Sequence, residues 1–224
     1  ELGRDITVDE LARHYDGVIV CVGAPNDRPL DIPGEDLRGS LSATDFVGWY
    51  NGHPDHRNLA VDLSVTDAVV VGNGHVAVDV ARILVSDPVA LARTDIADHA
   101  LDALRTSAIR RVTMLGRRGP AQAAFTSKEL RELGELPGVT LVVDPADLES
   151  ARQALDSDDE DARRVLEALA EVAGRVPDPN DRVIRLVFLA SPTSLGGDGR
   201  VERVETVTNA LVADARGVLR AVAT

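Results

Sequence analysis

The sequence predicts an α/β fold, a Rossmann-like parallel sheet with flanking helices plus a small antiparallel β meander. Three observations carry this. Valine-rich runs alternate with amphipathic stretches over residues 68–143, giving the strand, helix, strand, helix, strand order of a parallel unit. A glycine motif stands where the first of those strands turns into its helix. Beyond residue 177 the helical period disappears, and short apolar runs alternate with turn residues.

Val18-Ile19-Val20-Cys21-Val22 is an apolar run ending at Gly23 and reads as a buried strand, with Cys21 a small buried hydrophobe. The loop that follows holds Ala24-Pro25-Asn26 and Ile32-Pro33-Gly34. Residues 43–51 read as a short helix, with Phe46, Trp49 and Tyr50 as core filling. Ala68–Val71 is the next strand. Residues 75–85 form a helix, with Val76, Val80, Ile83 and Leu84 at helical spacing. A polar helical stretch covers Asp87–Ser107. The strand Val112–Leu115 ends at Gly116, a helix spans about Thr126–Leu133, and Val139–Val143 is a third strand. Residues 157–173 form a helix whose start, Ser157-Asp158-Asp159-Glu160-Asp161, is crowded with carboxylates and suits the positive helix N-terminus. Val183–Leu189, Val201–Val207 and Val218–Val222 read as the meander, with Gly196-Gly197-Asp198-Gly199 as a hairpin turn.

The chain has 224 residues, of which 44% are hydrophobic and only 3% aromatic. That suffices for a sizeable core of aliphatic side chains, as a covered parallel sheet requires. Acidic residues number 37 against 24 basic, a net charge of −13. Nucleic acid is therefore not an expected partner, and any basic ligand patch must be local. A single cysteine allows no internal disulfide, and no apolar run is long enough for a membrane span. A cytoplasmic location is expected. The chain opens on Glu1 and its only methionine is Met114, so it reads as a segment of a longer protein.

Gly72-Asn73-Gly74-His75-Val76-Ala77 fits GxGxxA, between an all-valine strand and an amphipathic helix. The first glycine serves a tight turn, the second close approach of a pyrophosphate, and the small last residue close packing of helix on strand. Phosphates then meet free N–H groups at the helix N-terminus. In NAD sites a carboxylate at the end of the second strand takes the ribose 2′-hydroxyl. Here that strand ends in Gly116-Arg117-Arg118-Gly119. Two guanidiniums suit a 2′-phosphate, which favours NADP over NAD. They lie about 40 residues beyond the motif rather than the usual ~20, and the polar stretch 87–107 accounts for the excess.

The block from Gly72 through Asp79-Val80-Ala81-Arg82-Ile83-Leu84, followed by Gly116-Arg117-Arg118-Gly119-Pro120 and Gln122-Ala123-Ala124-Phe125-Thr126, resembles the adrenodoxin reductase type of ferredoxin–NADP(+) reductase. Lys128-Glu129-Leu130-Arg131-Glu132, Ile32-Pro33-Gly34-Glu35-Asp36 and Asp45–Asn51 extend the likeness. It covers residues 15–150 closely and the rest loosely. The resemblance implies an oxidoreductase that passes electrons between NADPH and a ferredoxin-like iron–sulfur protein through FAD. It implies an NADP domain inserted into an FAD domain, with this chain as the NADP domain. Residues 1–66 and 177–224 would include flanks joining it to the FAD domain, and FAD would bind mainly outside the chain. The segment alone would be inactive. By the same resemblance Asn73, Gly74, His75 and Val76 contact the NADP phosphates, and Arg117 and Arg118 hold the 2′-phosphate. Glu129 contacts the adenosine end. Asp79 lies toward the flavin and takes part in proton handling, or else complements a helix N-terminus. His75 stands where the family usually has Asn. Since imidazole charge varies near neutrality, NADP is expected to bind more weakly at pH 8 than at pH 6. Two alternatives share the layout: the NADP domain of a glutamate synthase small-subunit-like flavoprotein, and a non-catalytic NADP-binding module. His53-Pro54-Asp55-His56 lacks further converging ligands, and no metal site is expected.

Overall fold

The computed structural model describes residues 2–21, 27–153 and 159–224. In chain order the elements are α1 (Val8–His14), α2 (Ala43–Tyr50), β1 (Asp67–Val71), α3 (His75–Val85), α4 (Pro88–Leu91) and α5 (Asp98–Arg105). Then follow β2 (Arg111–Leu115), α6 (Ser127–Gly134), β3 (Val139–Val143), α7 (Pro145–Gln153) and α8 (Glu160–Val172). The chain ends with β4 (Arg182–Val187), β5 (Ala190–Gly196), β6 (Arg203–Ala213) and β7 (Leu219–Ala223).

Two sheets result. The first is fully parallel in the order β1-β2-β4-β3; the second is an antiparallel meander, β5-β6-β7. The expected strand–helix alternation over 68–143 holds, but β2 and β3 are not neighbours. The run around Val183–Leu189, expected in the meander, supplies β4, which lies between them in parallel register. The run buries Ile184, Leu186 and Phe188 on one face against the core, while the other keeps Val183 and Val187 half-buried around an exposed Arg185. Pairing with β2 on one side and β3 on the other satisfies the backbone of both its edges. The meander instead begins one strand later, at β5, which was not expected as a strand.

The core lies on the parallel sheet. Val112, Leu141 and Ile184 are wholly buried in the strands. The helix α3 packs on β1, β2 and β4 on one side and on α2 and α6 on others, so that Val80, Ile83 and Leu84 of the expected stripe are buried together with Ala77, Val78, Ala81 and Val85, whereas Val76 is exposed. On its outer side α2 adds Phe46, Trp49 and Tyr50, all buried as expected, with the Phe46 and Trp49 rings stacked at 5.5 Å. On another flank α6 packs on α8 through Leu130, Leu133, Val165 and Leu169, and Arg131 pairs with Glu171 across the seam. The polar stretch 87–107 forms the single turn α4 and then α5. The C-terminus of α3 is closed from the sheet: the Arg182 guanidinium donates to the carbonyls of Val85 and Ser86 at 2.9 and 2.8 Å. These are carbonyls that the helix itself leaves without partners.

The expected buried strand at 18–22 is not formed. Residues 18–21 have no regular structure, Ile19 is 90% exposed, and Cys21 is exposed rather than buried. No strand among the described residues pairs with this run, and without a partner an apolar segment has no ladder to join. Val22, Gly23, the turn residues 24–26, Ser157 and Asp158 lie outside the described residues. The acid-fronted helix is present as α8, with the Asp159 carboxylate accepting from the Ala162 N–H.

Candidate functional site

The site is built where β1 and β2 end. Val71 and Leu115 are in register, so the two strands finish level. The Gly72 N–H donates to the Leu115 carbonyl at 2.8 Å, and the chain then leaves the sheet with Gly72 at φ 125°, a conformation that L side chains rarely adopt. Helix α3 starts directly after Gly74, and no side chain caps it. Its first N–H groups therefore point outward without a side-chain acceptor, which is the arrangement an anion needs. Val76, in this first turn, is 51% exposed although apolar. A Cβ at Gly74 would lie 3.8 Å from that of Ala124, so the loop preceding α6 closes one side of the cradle. The Ala124 N–H donates to the Asn73 carbonyl and joins the two loops.

Asn73 is a pressure point. Its Nδ2 is buried with no hydrogen-bond partner. It packs so tightly on Gly116 that a Cβ there would lie 2.2 Å from Nδ2. Gly116, at the head of the Arg117–Arg118 loop, thus leaves the space that the Asn73 amide fills.

That loop is fixed by its backbone. The carbonyl of Gly116 accepts from the Ala190 N–H at 3.0 Å and that of Arg118 from the Leu189 N–H at 3.1 Å. The carbonyl of Arg117 accepts from the amide of Asn209 at 2.9 Å. Leu189 holds φ at 52°, unusual for a branched residue, and so turns the chain from β4 into β5 beside the loop. Neither Arg117 nor Arg118 makes an ion pair among the described residues. Their guanidiniums remain available to a ligand.

Glu129 reaches the same place from α6. Its carboxylate accepts from the Thr126 N–H and hydroxyl, the reciprocal half of a capping box, and both oxygens lie within 2.9 Å of His75 Nδ1. The pair joins the first residue of α3 to the first turn of α6. Partial burial opposes ionisation of Glu129, but the bonds from Thr126 and His75 prevail and hold its carboxyl below the ordinary value. Asp79 sits a turn further along α3. It accepts from the Arg82 guanidinium at 2.7 Å and lines, with Glu129 and Glu132, a groove between α3 and α6. Burial, reinforced by the charge of Asp79, raises the Tyr50 hydroxyl above its ordinary value.

The residues expected from sequence are therefore brought together at one end of the sheet, apart from Asp79, which is one turn removed. Sequence reasoning missed Asn209. Its one signal is an amide directly before the apolar run Ala210–Ala213 of its strand; it is 5% exposed.

The residues present fit a phosphorylated dinucleotide: an uncapped helix start, an opening kept by glycine, and two arginines whose side chains have no ion-pair partner among the described residues. Comparison with known proteins agrees. The chain is 50% identical over 223 residues to the NADPH-ferredoxin reductase FprA of Mycobacterium tuberculosis, covering 96% of this chain and 48% of that protein. It is 49% identical over 177 residues to the mitochondrial NADPH:adrenodoxin oxidoreductase of Bos taurus, covering 79% of this chain and 36% of that protein. It thus spans about half the length of the mycobacterial relative. No protein-family model matches. The fold superposes over its full length on half of the solved M. tuberculosis FprA, with a TM-score of 0.91 on a point mutant and 0.88 on a complex with NADPH, at 48% identity in each.

Proposed function

The chain is a homologue, over nearly its whole length, of one half of the ferredoxin and adrenodoxin reductases, and from that premise we propose that it is the NADP(H)-binding domain of an FAD-dependent ferredoxin–NADP(+) reductase. The carrying observation is the pairing, at level strand ends, of an uncapped glycine-loop helix with two arginines free of ion pairs. The N–H groups of the segment Asn73–Val76 hold the pyrophosphate. Arg117 and Arg118 grip the 2′-phosphate by charge-assisted bonds, and Glu129 meets the adenosine end. Asp79, paired with Arg82, sits toward the reacting end and handles a proton there. The bound cofactors supply the redox chemistry, a hydride passing between nicotinamide and flavin and single electrons to an iron–sulfur protein. This domain's residues bind and orient.

In this reading residues 1–224 form the NADP domain with flanks at 1–66 and 177–224, and FAD is bound mainly by chain outside it. Among the described residues no helix is long and apolar enough to cross a membrane. A cytoplasmic setting accords with a lone cysteine. The net charge of −13 directs an acidic ferredoxin to dock elsewhere on the enzyme.

The test is calorimetric titration of the full-length protein with NADP(+) and NAD(+), in wild type and in Arg117→Ala/Arg118→Ala. NADP(+) is expected to bind far more tightly than NAD(+), with the preference lost in the double variant. Equal binding of both by the wild type would refute the reading.

A further inference from the structure

We infer that Asn209 is a positioning residue for the choice of NADP over NAD, acting through the backbone of Arg117. The inference rests on the reading of Arg117 and Arg118 as the 2′-phosphate grip. Asn209 belongs to β6 in the antiparallel sheet, yet its side chain enters the arginine loop of the parallel one. Both hydrogens of its amide are committed: one bond runs to the Arg117 carbonyl at 2.9 Å and one to the Ser191 hydroxyl at 2.8 Å. Its own N–H donates to the Leu189 carbonyl at 2.7 Å. The residue is 5% exposed, so water does not replace these bonds.

Three consecutive carbonyls, of Gly116, Arg117 and Arg118, accept hydrogen bonds from this neighbouring layer. The outer two receive backbone N–H groups, which no substitution other than proline removes. The middle one depends on a side chain, and that side chain is Asn209. The loop therefore has one replaceable peg, at the residue that carries a guanidinium. Two-point recognition of a phosphate is sensitive to misplacement on the order of 1 Å. Freeing the Arg117 carbonyl lets the peptide rotate and carries both arginines with it. The glycine loop, which meets phosphates common to both dinucleotides, is pinned separately by the Leu115 carbonyl and the Ala124 N–H.

The experiment is Asn209→Ala in the full-length protein, read as the ratio of NADP(+) to NAD(+) dissociation constants. A general loss of structure weakens both ligands; loss of the peg weakens NADP(+) alone. We expect NADP(+) affinity to fall roughly tenfold, the scale of one buried hydrogen bond, with NAD(+) affinity unchanged. In the Arg117→Ala/Arg118→Ala background the same substitution should leave the ratio where it is, because the grip it serves is gone. If Asn209→Ala does not fold, Asn209→Ser takes its place, its hydroxyl being one atom shorter than the amide nitrogen. An unchanged ratio, an equal loss for both dinucleotides, or a full effect persisting without the arginines would each overturn the inference. A wild type that does not prefer NADP(+) would instead overturn the functional reading on which it rests.

Discussion

Replacing Gly116 with alanine tests how the two halves of the site are fitted together. Gly116 lies outside the left-handed region, so alanine meets no backbone objection and the effect is one of space. The added methyl would stand 2.2 Å from Asn73 Nδ2, 2.9 Å from its Cγ and 3.4 Å from a ring carbon of Phe188. Ordinary contact begins near 3.4 Å, so the Asn73 amide must retreat by about 1 Å, a displacement of the size that harms ligand positioning. The Asn73 carbonyl is held by Ala124, which leaves the side chain to move. Overpacking of this kind costs about 1–3 kcal/mol. For a chain of this size each kcal/mol lowers the melting temperature by roughly 2–4 °C. The assays are thermal denaturation and NADP(+) titration of Gly116→Ala, Asn73→Ala and the double variant. Gly116→Ala should melt several degrees lower and bind NADP(+) more weakly. The double variant should be no less stable than Asn73→Ala, because the clash is with an amide it no longer has. A Gly116→Ala protein as stable and as tightly binding as wild type, or a double variant whose losses simply add, would refute the reasoning.

Three further outcomes concern Asp147, Glu129 and His75. Burial, and then the charge of Asp144, raises the Asp147 carboxyl above its ordinary 3.8; the fold favours the protonated form, so the group costs stability once pH rises through the raised value. Asp147→Asn should therefore be more stable than wild type in urea at pH 7, with the advantage gone below about pH 3.8. Glu129 is the opposite case: its bonds lower it from 4.5, so its contribution is present above that value and is lost as pH falls through the lowered one. Glu129→Gln should cost about 1 kcal/mol at neutral pH, the scale of a helix cap, and the difference from wild type should close in acid. His75 ties the glycine loop to Glu129, and His75→Ala, which removes that tie, should weaken NADP(+) binding in calorimetry; an unchanged affinity would exclude the pair from the site.

Local features of this fold were legible in the sequence where one segment determines them. The turn from β1 to α3 shows itself because Gly72 needs a positive φ and α3 needs an apolar stripe, both properties of adjacent residues. The arginines could be assigned to a strand end for the same reason. What could not be read was partnership. The alternation in Val183-Ile184-Arg185-Leu186-Val187 suits either a parallel or an antiparallel neighbour, and only the contacts with β2 and β3 decide between them. Val18–Cys21 looks like a strand by composition, but no described strand pairs with it. Ala190–Gly196 was hidden by Pro192 and by the glycine that ends it, although a bulge between Pro192 and Ser194 accommodates the proline. Asn209 escaped because its partners lie on other strands and loops.

The late arrival of β4 has a bearing on how this chain is made. Until Arg182–Val187 leaves the ribosome, β3 has no hydrogen-bonded neighbouring strand among the described residues and β2 has β1 alone. Both α7 and α8 must be synthesised first, while strands rich in valine and leucine wait with open edges. Such edges invite pairing with other chains. A nascent chain stalled after α8 is accordingly a candidate for chaperone capture, whereas one that has released β4 closes the whole parallel sheet in a single docking event.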